Sequence, residues 1–257
     1  MPMPMLQQPS TLTRQWSKSE STGRRLALIP ARGGSKRIPG KNIKPFCGRP
    51  MLAWVIDAAH RSGCFDRVVV STDDDTIAAV AHDCGAEVPF LRPANLSDDH
   101  TGLIAVIRHA VDLLLPDPSP ADLVCNLLGT AAFLRPYDLR EGLATLQGNK
   151  QADFALAVAA FPAPIQRALK LDGEARVSMF DPAQFHCRSQ DLEPAFHDAG
   201  QFCWGRANAW RQVTNVFTPR CLAVRLPAHR VQDIDTPEDW VRAEWLFRAL
   251  QAEGEPG

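Results

Sequence analysis

The architecture of this 257-residue chain is set by residues 26–42, LALIPARGGSKRIPGKN. A short apolar run stops at Pro30, and a turn rich in glycine and in cations follows it: Arg32, Gly33, Gly34, Lys36, Arg37, Gly40 and Lys41. Glycine lets a backbone approach a ligand closely, and the free N–H groups of such a turn form an anion-binding concavity. The stretch therefore predicts a nucleotide or phosphate site directly after a buried strand.

Two common glycine motifs do not fit this loop. A P-loop has four residues between its glycines and then Gly-Lys-Ser/Thr. Here five residues separate Gly34 from Gly40, and Asn42 follows Lys41, so the hydroxyl that would hold magnesium is missing. The dinucleotide pattern GxGxxG is also absent. The loop is thus neither a standard ATPase loop nor an NAD loop, and a basic surface turn remains the alternative to a phosphate site.

Composition narrows the class of protein. A formal net charge of -1 argues against a nucleic-acid binder, and no apolar run is long enough to predict a membrane span. Residues 1–24 are polar and lack the apolar core of a signal peptide, so we expect a disordered tail. The seven cysteines are scattered without a CxxC pair, which favours free thiols in the cytoplasm over disulfides or zinc.

Strand and helix patterns alternate along the chain. Apolar runs at 67–71, 121–128 and 152–161 predict strands buried on both faces, and amphipathic segments at 50–63, 74–85 and 101–115, with a last one from Thr236, predict helices. This alternation predicts an α/β fold with a mainly parallel sheet flanked by helices. Such sheets bind ligands beyond the carboxyl ends of their strands, where the glycine-rich loop, STDDD (71–75) and GTAAF (129–133) all fall.

The segment from about 160 to 220 lacks this alternation of strand and helix patterns. It is rich in Pro, Phe and Gln, so we expect a long insertion that forms a lid or a subunit contact. The folded domain is then expected to span 25–250, with a short tail at 251–257.

A second constellation is VQDIDTPEDW, residues 231–240. In an extended segment alternate side chains point the same way, so Asp233 and Asp235 are expected on one face and Ile234 in the core. Two such carboxylates can hold one hard cation that also contacts phosphate oxygens, and the cation offsets phosphate charge during attack on phosphorus. Together with the cationic loop, the pair predicts metal-assisted chemistry on a phosphate. Taken alone, Asp-x-Asp before a helix is more often explained by capping and solvation.

PARGGSKRIPGKN, STDDDTIAAVAHDCGAEVPFLRP and DIDTPEDW together resemble the cytidylyltransferases that activate nine-carbon α-keto acid sugars. The resemblance spans residues 26–248. Within it RSQDLEPAFHDAGQFCWG, residues 188–205, is most similar to the pseudaminic acid branch. It implies a Rossmann-like three-layer nucleotidyltransferase fold, a homodimer and a place in cell-surface glycan biosynthesis. The implied reaction transfers CMP from CTP to a nonulosonic acid. The same reaction on sialic, legionaminic or another such sugar stays open, as does a non-catalytic nucleotide-sugar binding module.

The resemblance also implies roles for single residues. In the loop, Arg32 and Lys41 would bind the triphosphate, and Lys36 would stabilise the transition-state charge. Asp233 and Asp235 would hold Mg²⁺ (or Mn²⁺), and one of them would help to deprotonate the sugar hydroxyl. The remaining nucleotide contacts would come from Gly33, Gly34, Ser35, Asn42 and Arg92, and the sugar contacts from Arg188, Gln190, His197, Asp198 and Gln201.

Two departures from the resemblance stand out. Sialic acid enzymes are expected to carry Gln-Pro-Thr-Ser-Pro where this chain has Leu128 to Ala132, LGTAA. Cys203 stands where we expect Tyr, so a hydroxyl that would touch substrate or pack is absent.

Overall fold

A computed structural model describes residues 23–254, and the first and last of its helices begin at the caps that the sequence predicts. The first helix follows Pro50 and stops at Gly63, whose φ of 66° is the left-handed conformation that glycine favours. The last begins at Thr236, which forms the capping box with Asp239. The helices are α1 (Met51–Ser62), α2 (Asp75–Asp83), α3 (Leu103–Leu114), α4 (Pro136–Gly148), α5 (Ala207–Gln212) and α6 (Pro237–Ala252).

The strands of the described chain form one large sheet and two short hairpins. The hairpin strands are β2 (Pro45–Phe46), β3 (Arg49–Pro50), β7 (Leu169–Leu171) and β8 (Val177–Met179). The strands of the large sheet are β1 (Arg25–Pro30), β4 (Arg67–Ser71), β5 (Leu123–Leu127), β6 (Phe154–Ala160), β9 (Phe196–Arg206) and β10 (Cys221–Arg225).

The large sheet has the strand order β10-β6-β9-β5-β1-β4. β1 lies parallel to β4 and to β5, and β10 lies parallel to β6. β9 runs antiparallel between β5 and β6. The predicted mainly parallel sheet is therefore confirmed, with one antiparallel strand inside it. Because β1, β4 and β5 run the same way, the three loops that follow them meet at one edge.

Helices cover both faces of the sheet and make the fold three-layered. Ala27, Ile29 and Val70 pack with α1, α2 and α4 on one face. Leu28 and Val69 pack with α3 and α5 on the other. Strands buried on both faces explain why their sequences read as continuous apolar runs.

α6 lies on a third cluster that fixes the glycine-rich loop from behind. Its Trp240 and Phe247 pack with Phe46 and with Ile38 of the loop, and Ile234 is buried in the same cluster. This packing ties the segment before α6 to the loop after β1, although about 200 residues of chain separate them.

The prediction of a single insertion at 160–220 is wrong in its second half. Residues 196–206 form β9, which is a central strand of the sheet, and residues 207–212 form α5. The sequence pattern does not reveal β9 because the strand has polar residues near its start and because its pairing with β6 shifts in register. Only about 161–195 stands outside the sheet, as turns and the β7–β8 hairpin. α4 was not predicted either, although Pro136 and Asp138 suit a first helical turn.

The predicted boundaries also shift slightly. Of the expected tail at residues 1–24, residues 1–22 lie outside the described residues, but Arg24 belongs to the fold. Its guanidinium binds the buried carboxylate of Asp122 at 2.5 Å. At the other end α6 continues to Ala252. Within residues 23–254, no helix combines the length and apolar character needed to cross a membrane.

Candidate active site

The loop after β1 is held by the acidic turn that follows β4. The backbone N–H of Gly33 donates to the Asp73 carboxylate at 3.1 Å. A Cβ at Gly33 would lie 2.6 Å from a carboxylate oxygen of Asp74, which caps α2. Gly33 is therefore needed for close approach of the two loops. No atom lies within 4 Å of the corresponding position at Gly34, so the backbone is open to a ligand there.

Two cations of the loop converge on one carboxylate that the sequence did not single out. Arg32 binds the Asp99 carboxylate at 2.8 Å, and Lys36 forms an ion pair with its other oxygen. Arg32 also donates to the backbone carbonyl of Asp98 at 2.9 Å. The hydrogen bond from Lys36, together with both cationic charges, lowers the pKa of Asp99. The carboxylate is thus ionised at neutral pH and occupies the anion position of the loop.

The other two cations converge on Asp235. Arg37 binds one oxygen of Asp235 at 2.8 Å, and the Lys41 ammonium lies 3.4 Å from the other. The same ammonium donates to the Ile234 carbonyl at 2.8 Å. Ile234 is buried while Asp233 is exposed and Asp235 is partly exposed, as the predicted alternation requires. The two halves of the predicted site therefore meet in space.

These side chains enclose a cleft of about 370 Å³. It is lined by Arg32, Ser35, Lys36, Arg37, Lys41, Asn42, Asp99 and Asp235. Four cations face two carboxylates across it, so the cleft carries an excess of positive charge. A polyphosphate with several negative charges matches that excess, and the open N–H groups of the loop add donors.

Asn42 and Arg92 fix the edges of this cleft. The Asn42 amide donates to the Arg32 carbonyl at 3.1 Å, and a Cβ at Gly129 would lie 2.8 Å from its oxygen. Glycine at 129 therefore lets the loop after β5 approach the loop after β1. Arg92 is buried and contacts Ser97 at 3.2 Å and Asp73 at 3.4 Å, and its burial lowers its pKa. In this structure Arg92 thus braces the acidic turn.

The protein side chains around this cleft could hold a divalent cation only together with oxygen atoms of a bound ligand. Among residues 23–254, no group of three or more His, Cys, Asp or Glu side chains could hold a metal ion. Asp235 lines the cleft, whereas Asp233, two residues before it, is exposed and is not among the lining residues. Mg²⁺ is commonly held by one or two carboxylates together with substrate phosphates and water. The residues present fit such a shared site.

None of the residues predicted to contact the sugar lines this cleft. Arg188 and Gln190 are exposed at the turn 189–191, outside the sheet. On β9, the His197 ring contacts the Asp198 carbonyl at 2.8 Å and packs against Phe161. Gln201 is 3% exposed and donates to the Arg230 carbonyl at 2.6 Å.

Asp198 and Gln201 line a second cavity, of about 100 Å³. It also includes Asn126 of β5 and Cys203, one of the two departures noted above. The other departure, Ala132, is buried in the cluster under α6. Sequence reasoning missed Asp73, Asp99 and Asn126, because their relevance depends on contacts between distant segments.

Comparisons with known proteins agree with this geometry. A family profile described as "Cytidylyltransferase" matches residues 26–170. The chain is 43% identical over 223 residues to the pseudaminic acid cytidylyltransferase of Campylobacter jejuni, covering 87% of this chain and 96% of that one. It is 30% identical over 231 residues to the CMP-N,N'-diacetyllegionaminic acid synthase of Legionella pneumophila, covering 88% and 97%.

A solved structure of CMP:2-keto-3-deoxy-manno-octonic acid synthetase complexed with CTP has a similar fold. The TM-score is 0.64 at 18% sequence identity, over 88% of this chain and 99% of that one. At that identity the likeness concerns the fold alone.

A three-layer α/β fold with a polycationic cleft at the carboxyl edge of its sheet defines a nucleotidyltransferase. The family profile matches more than half of the chain, and the identity to the Campylobacter jejuni relative extends over nearly its full length. The chain therefore belongs to the cytidylyltransferase family. The family resemblance read from the sequence is thereby confirmed.

Proposed function

We propose that this protein transfers CMP from CTP to the anomeric hydroxyl of pseudaminic acid and releases pyrophosphate. The observation that carries the reaction type is the cleft in which four loop cations face Asp235. The choice of sugar is supported by 43% identity to a pseudaminic acid cytidylyltransferase against 30% to a legionaminic acid enzyme.

The nucleotide end of the reaction rests on the loop after β1. Its cations exchange their carboxylate partners for phosphate oxygens when CTP enters. Arg32 and Lys41 then hold the triphosphate, and Lys36 stabilises charge that develops on the phosphoryl oxygens. Lys36 suits this role because its side chain is 80% exposed and its partner, Asp99, is partly exposed, so the ammonium is free to move to a bound phosphate. Fixed charge at the reacting phosphate contributes much of the catalysis in such transfers.

Asp233 and Asp235 would hold Mg²⁺ or Mn²⁺ together with the phosphates. The ion, when bound, neutralises phosphate charge and polarises the phosphorus under attack. Asp235 is also placed beside the loop, where its carboxylate can accept the proton of the attacking hydroxyl directly or through water.

Pyrophosphate release from CTP, Mg²⁺ and a panel of nonulosonic acids tests this proposal. We expect release with pseudaminic acid, and CMP-sugar as the second product. A protein that binds CTP but releases no pyrophosphate with any acid is a binding module, and the proposal is then wrong. Release with sialic or legionaminic acid but not with pseudaminic acid contradicts the choice of sugar only.

The proposed enzyme acts as a homodimer that the segment 161–196 joins. This segment exposes many large apolar side chains: Phe161, Ile165, Leu169, Leu171, Val177, Phe180, Phe185 and Phe196. Apolar exposure on this scale, concentrated in one segment, is typical of a contact surface. The proposed location is the cytoplasm, which suits seven cysteines that are all free in the structure.

A further inference from the structure

The cavity of about 100 Å³ beside β5 and β9 contains two buried oxygens without partners. Asn126 is 4% exposed and Gln201 is 3% exposed, and both line the cavity. The side-chain carbonyl oxygen of each, Oδ1 of Asn126 and Oε1 of Gln201, has no hydrogen-bond partner. A buried polar group without a partner destabilises a fold, so two of them in one cavity point to a ligand that supplies donors.

The rest of the lining defines the other half of that ligand. The walls are mainly apolar, from α3, α5 and their neighbours: Leu103, Ile104, Ile107, Leu156, Trp210 and Val216. A ligand group that fits must therefore join an N–H or O–H donor to a small apolar end. The volume suits a substituent of a few heavy atoms and is too small for a whole nine-carbon sugar.

The cavity lies next to the cleft that binds the nucleotide. Asn126 is three residues before Gly129, which approaches Asn42 of the cleft. The Gln201 carbonyl accepts from the Leu128 backbone N–H at 3.0 Å. A sugar seated at the nucleotide cleft could thus place one substituent in the cavity.

We infer that this cavity binds an acylamino substituent of the acceptor sugar, with Asn126 accepting its N–H, Gln201 accepting a neighbouring hydroxyl of the same sugar, and the apolar walls enclosing the methyl group. The inference rests on the proposed function and adds Asn126 as a residue that determines specificity.

Cys203 offers a competing explanation for the cavity. Tyr is expected at this position, and the smaller Cys203 side chain lines the space. The cavity would then be only a gap in the packing, and filling it would stabilise the fold without affecting the sugar. The unpartnered oxygens of Asn126 and Gln201 favour a bound ligand, since an empty gap in the packing is normally lined by apolar atoms.

Binding measured by calorimetry with CTP but without a divalent cation tests the inference apart from turnover. The probes are pseudaminic acid and its analogue with hydrogen atoms in place of the acetamido groups, which lacks their N–H donors and methyl groups. Asn126→Leu removes one acceptor. We expect its affinity for the acetamido sugar to fall roughly ten-fold, its affinity for the analogue to change little, and its melting temperature to stay or rise. A structural role for Asn126 would lower the melting temperature instead.

Three further variants make the outcome decisive. Cys203→Tyr fills the cavity and should remove the preference for the acetamido sugar. Gln201→Met removes the second acceptor and should also lower the affinity for the acetamido sugar. Gln166→Met is its control and should leave that affinity unchanged, because Gln166 also carries a buried unpartnered Oε1 but lies outside the cavity. If the preference survives in Asn126→Leu and Cys203→Tyr, or if the wild type has none, the inference is wrong. The wild-type protein could prefer the acetamido sugar, and lose that preference in the cavity variants, yet release no pyrophosphate. That result would contradict the proposed function and leave the inference about the cavity standing.

Discussion

Asp99 shows how a single residue gathers the cations of the proposed nucleotide cleft. Its carboxylate neutralises Arg32 and Lys36, both of which keep much of their side chains in water. Exposed ion pairs of this kind contribute little to stability. We therefore expect a triphosphate to replace Asp99 at little cost, while Asp99 keeps the cations together when no triphosphate is bound.

Gly33→Ala is expected to destabilise the fold by about 1 kcal/mol. The new Cβ would meet the Asp74 carboxylate at 2.6 Å, and moving that side chain loses the N-cap of α2. Thermal unfolding measures the effect. Gly34→Ala is the matched control for stability, because no atom lies within 4 Å of its Cβ position. Equal melting temperatures for the two variants would contradict the assigned contact.

Asp235→Asn is expected to lower turnover at least about a hundred-fold, since it removes a carboxylate from the proposed metal site. The fold should persist, because the side chain is 38% exposed and its ion pairs lie at the surface. Pyrophosphate release against Mg²⁺ concentration measures the loss. Asp112→Asn is the control, since Asp112 also pairs with an arginine but lies far along the chain on α3. Near-normal Mg²⁺-dependent activity would remove Asp235 from its role.

At the scale of elements, the start of α6 joins the carboxylate pair to the core. Thr236 and Asp239 form the capping box, and the Asp239 carboxylate also accepts from the Asp235 N–H at 3.3 Å. Trp240 and Ile234 pack in the cluster that holds the glycine-rich loop. The position of Asp235 thus depends on how the helix begins.

Asp239→Ala is expected to lower the free energy of unfolding by about 1 kcal/mol at neutral pH. The hydrogen bond from Thr236 lowers the pKa of Asp239 in the folded protein. A lowered pKa means that the ionised group stabilises the fold above its ordinary pKa, about 3.9, and that this stability is lost as the pH falls through the folded value.

Denaturant unfolding of both proteins at several pH values checks this expectation. The difference between wild type and Asp239→Ala should be constant from pH 7 down to about pH 5 and should shrink below about pH 4. A difference that grows as the pH falls would contradict the assigned hydrogen bond.

At the scale of the whole molecule, residues 161–195 stand outside the sheet, and we propose that their exposed apolar side chains, together with Phe196, form the dimer contact. We expect the protein to elute at about twice the mass of one chain in light-scattering chromatography. Leu171→Glu with Phe180→Glu should yield monomers, because both side chains are more than 60% exposed in a single chain and would be buried in a dimer. Leu113→Glu, at an exposed apolar site on α3, should stay dimeric. A wild-type monomer would contradict the proposal.

Local patterns in the sequence were sufficient for much of this fold. The runs that form β1, β4, β5 and β6 are mainly apolar, and the loop cations follow β1 directly in the chain. The alternation of Asp233, Ile234 and Asp235 also follows from the geometry of an extended segment. Each of these features depends on neighbours within a few residues.

Tertiary structure alone decided three other features. β9 is central because β5 and β6 pair with it on both sides, which its own mixed sequence does not reveal. Asp99 joins the cleft across more than 60 residues of chain, and Asn126 meets Gln201 across about 75. Pairings over such distances arise from the packing of whole elements, and no local periodicity encodes them. The amino-acid sequence by itself determined the proposed phosphate-binding loop and named Asp198 and Gln201 for the sugar, whereas the cavity that joins those two residues to Asn126 formed only when β5, β9 and α3 packed together.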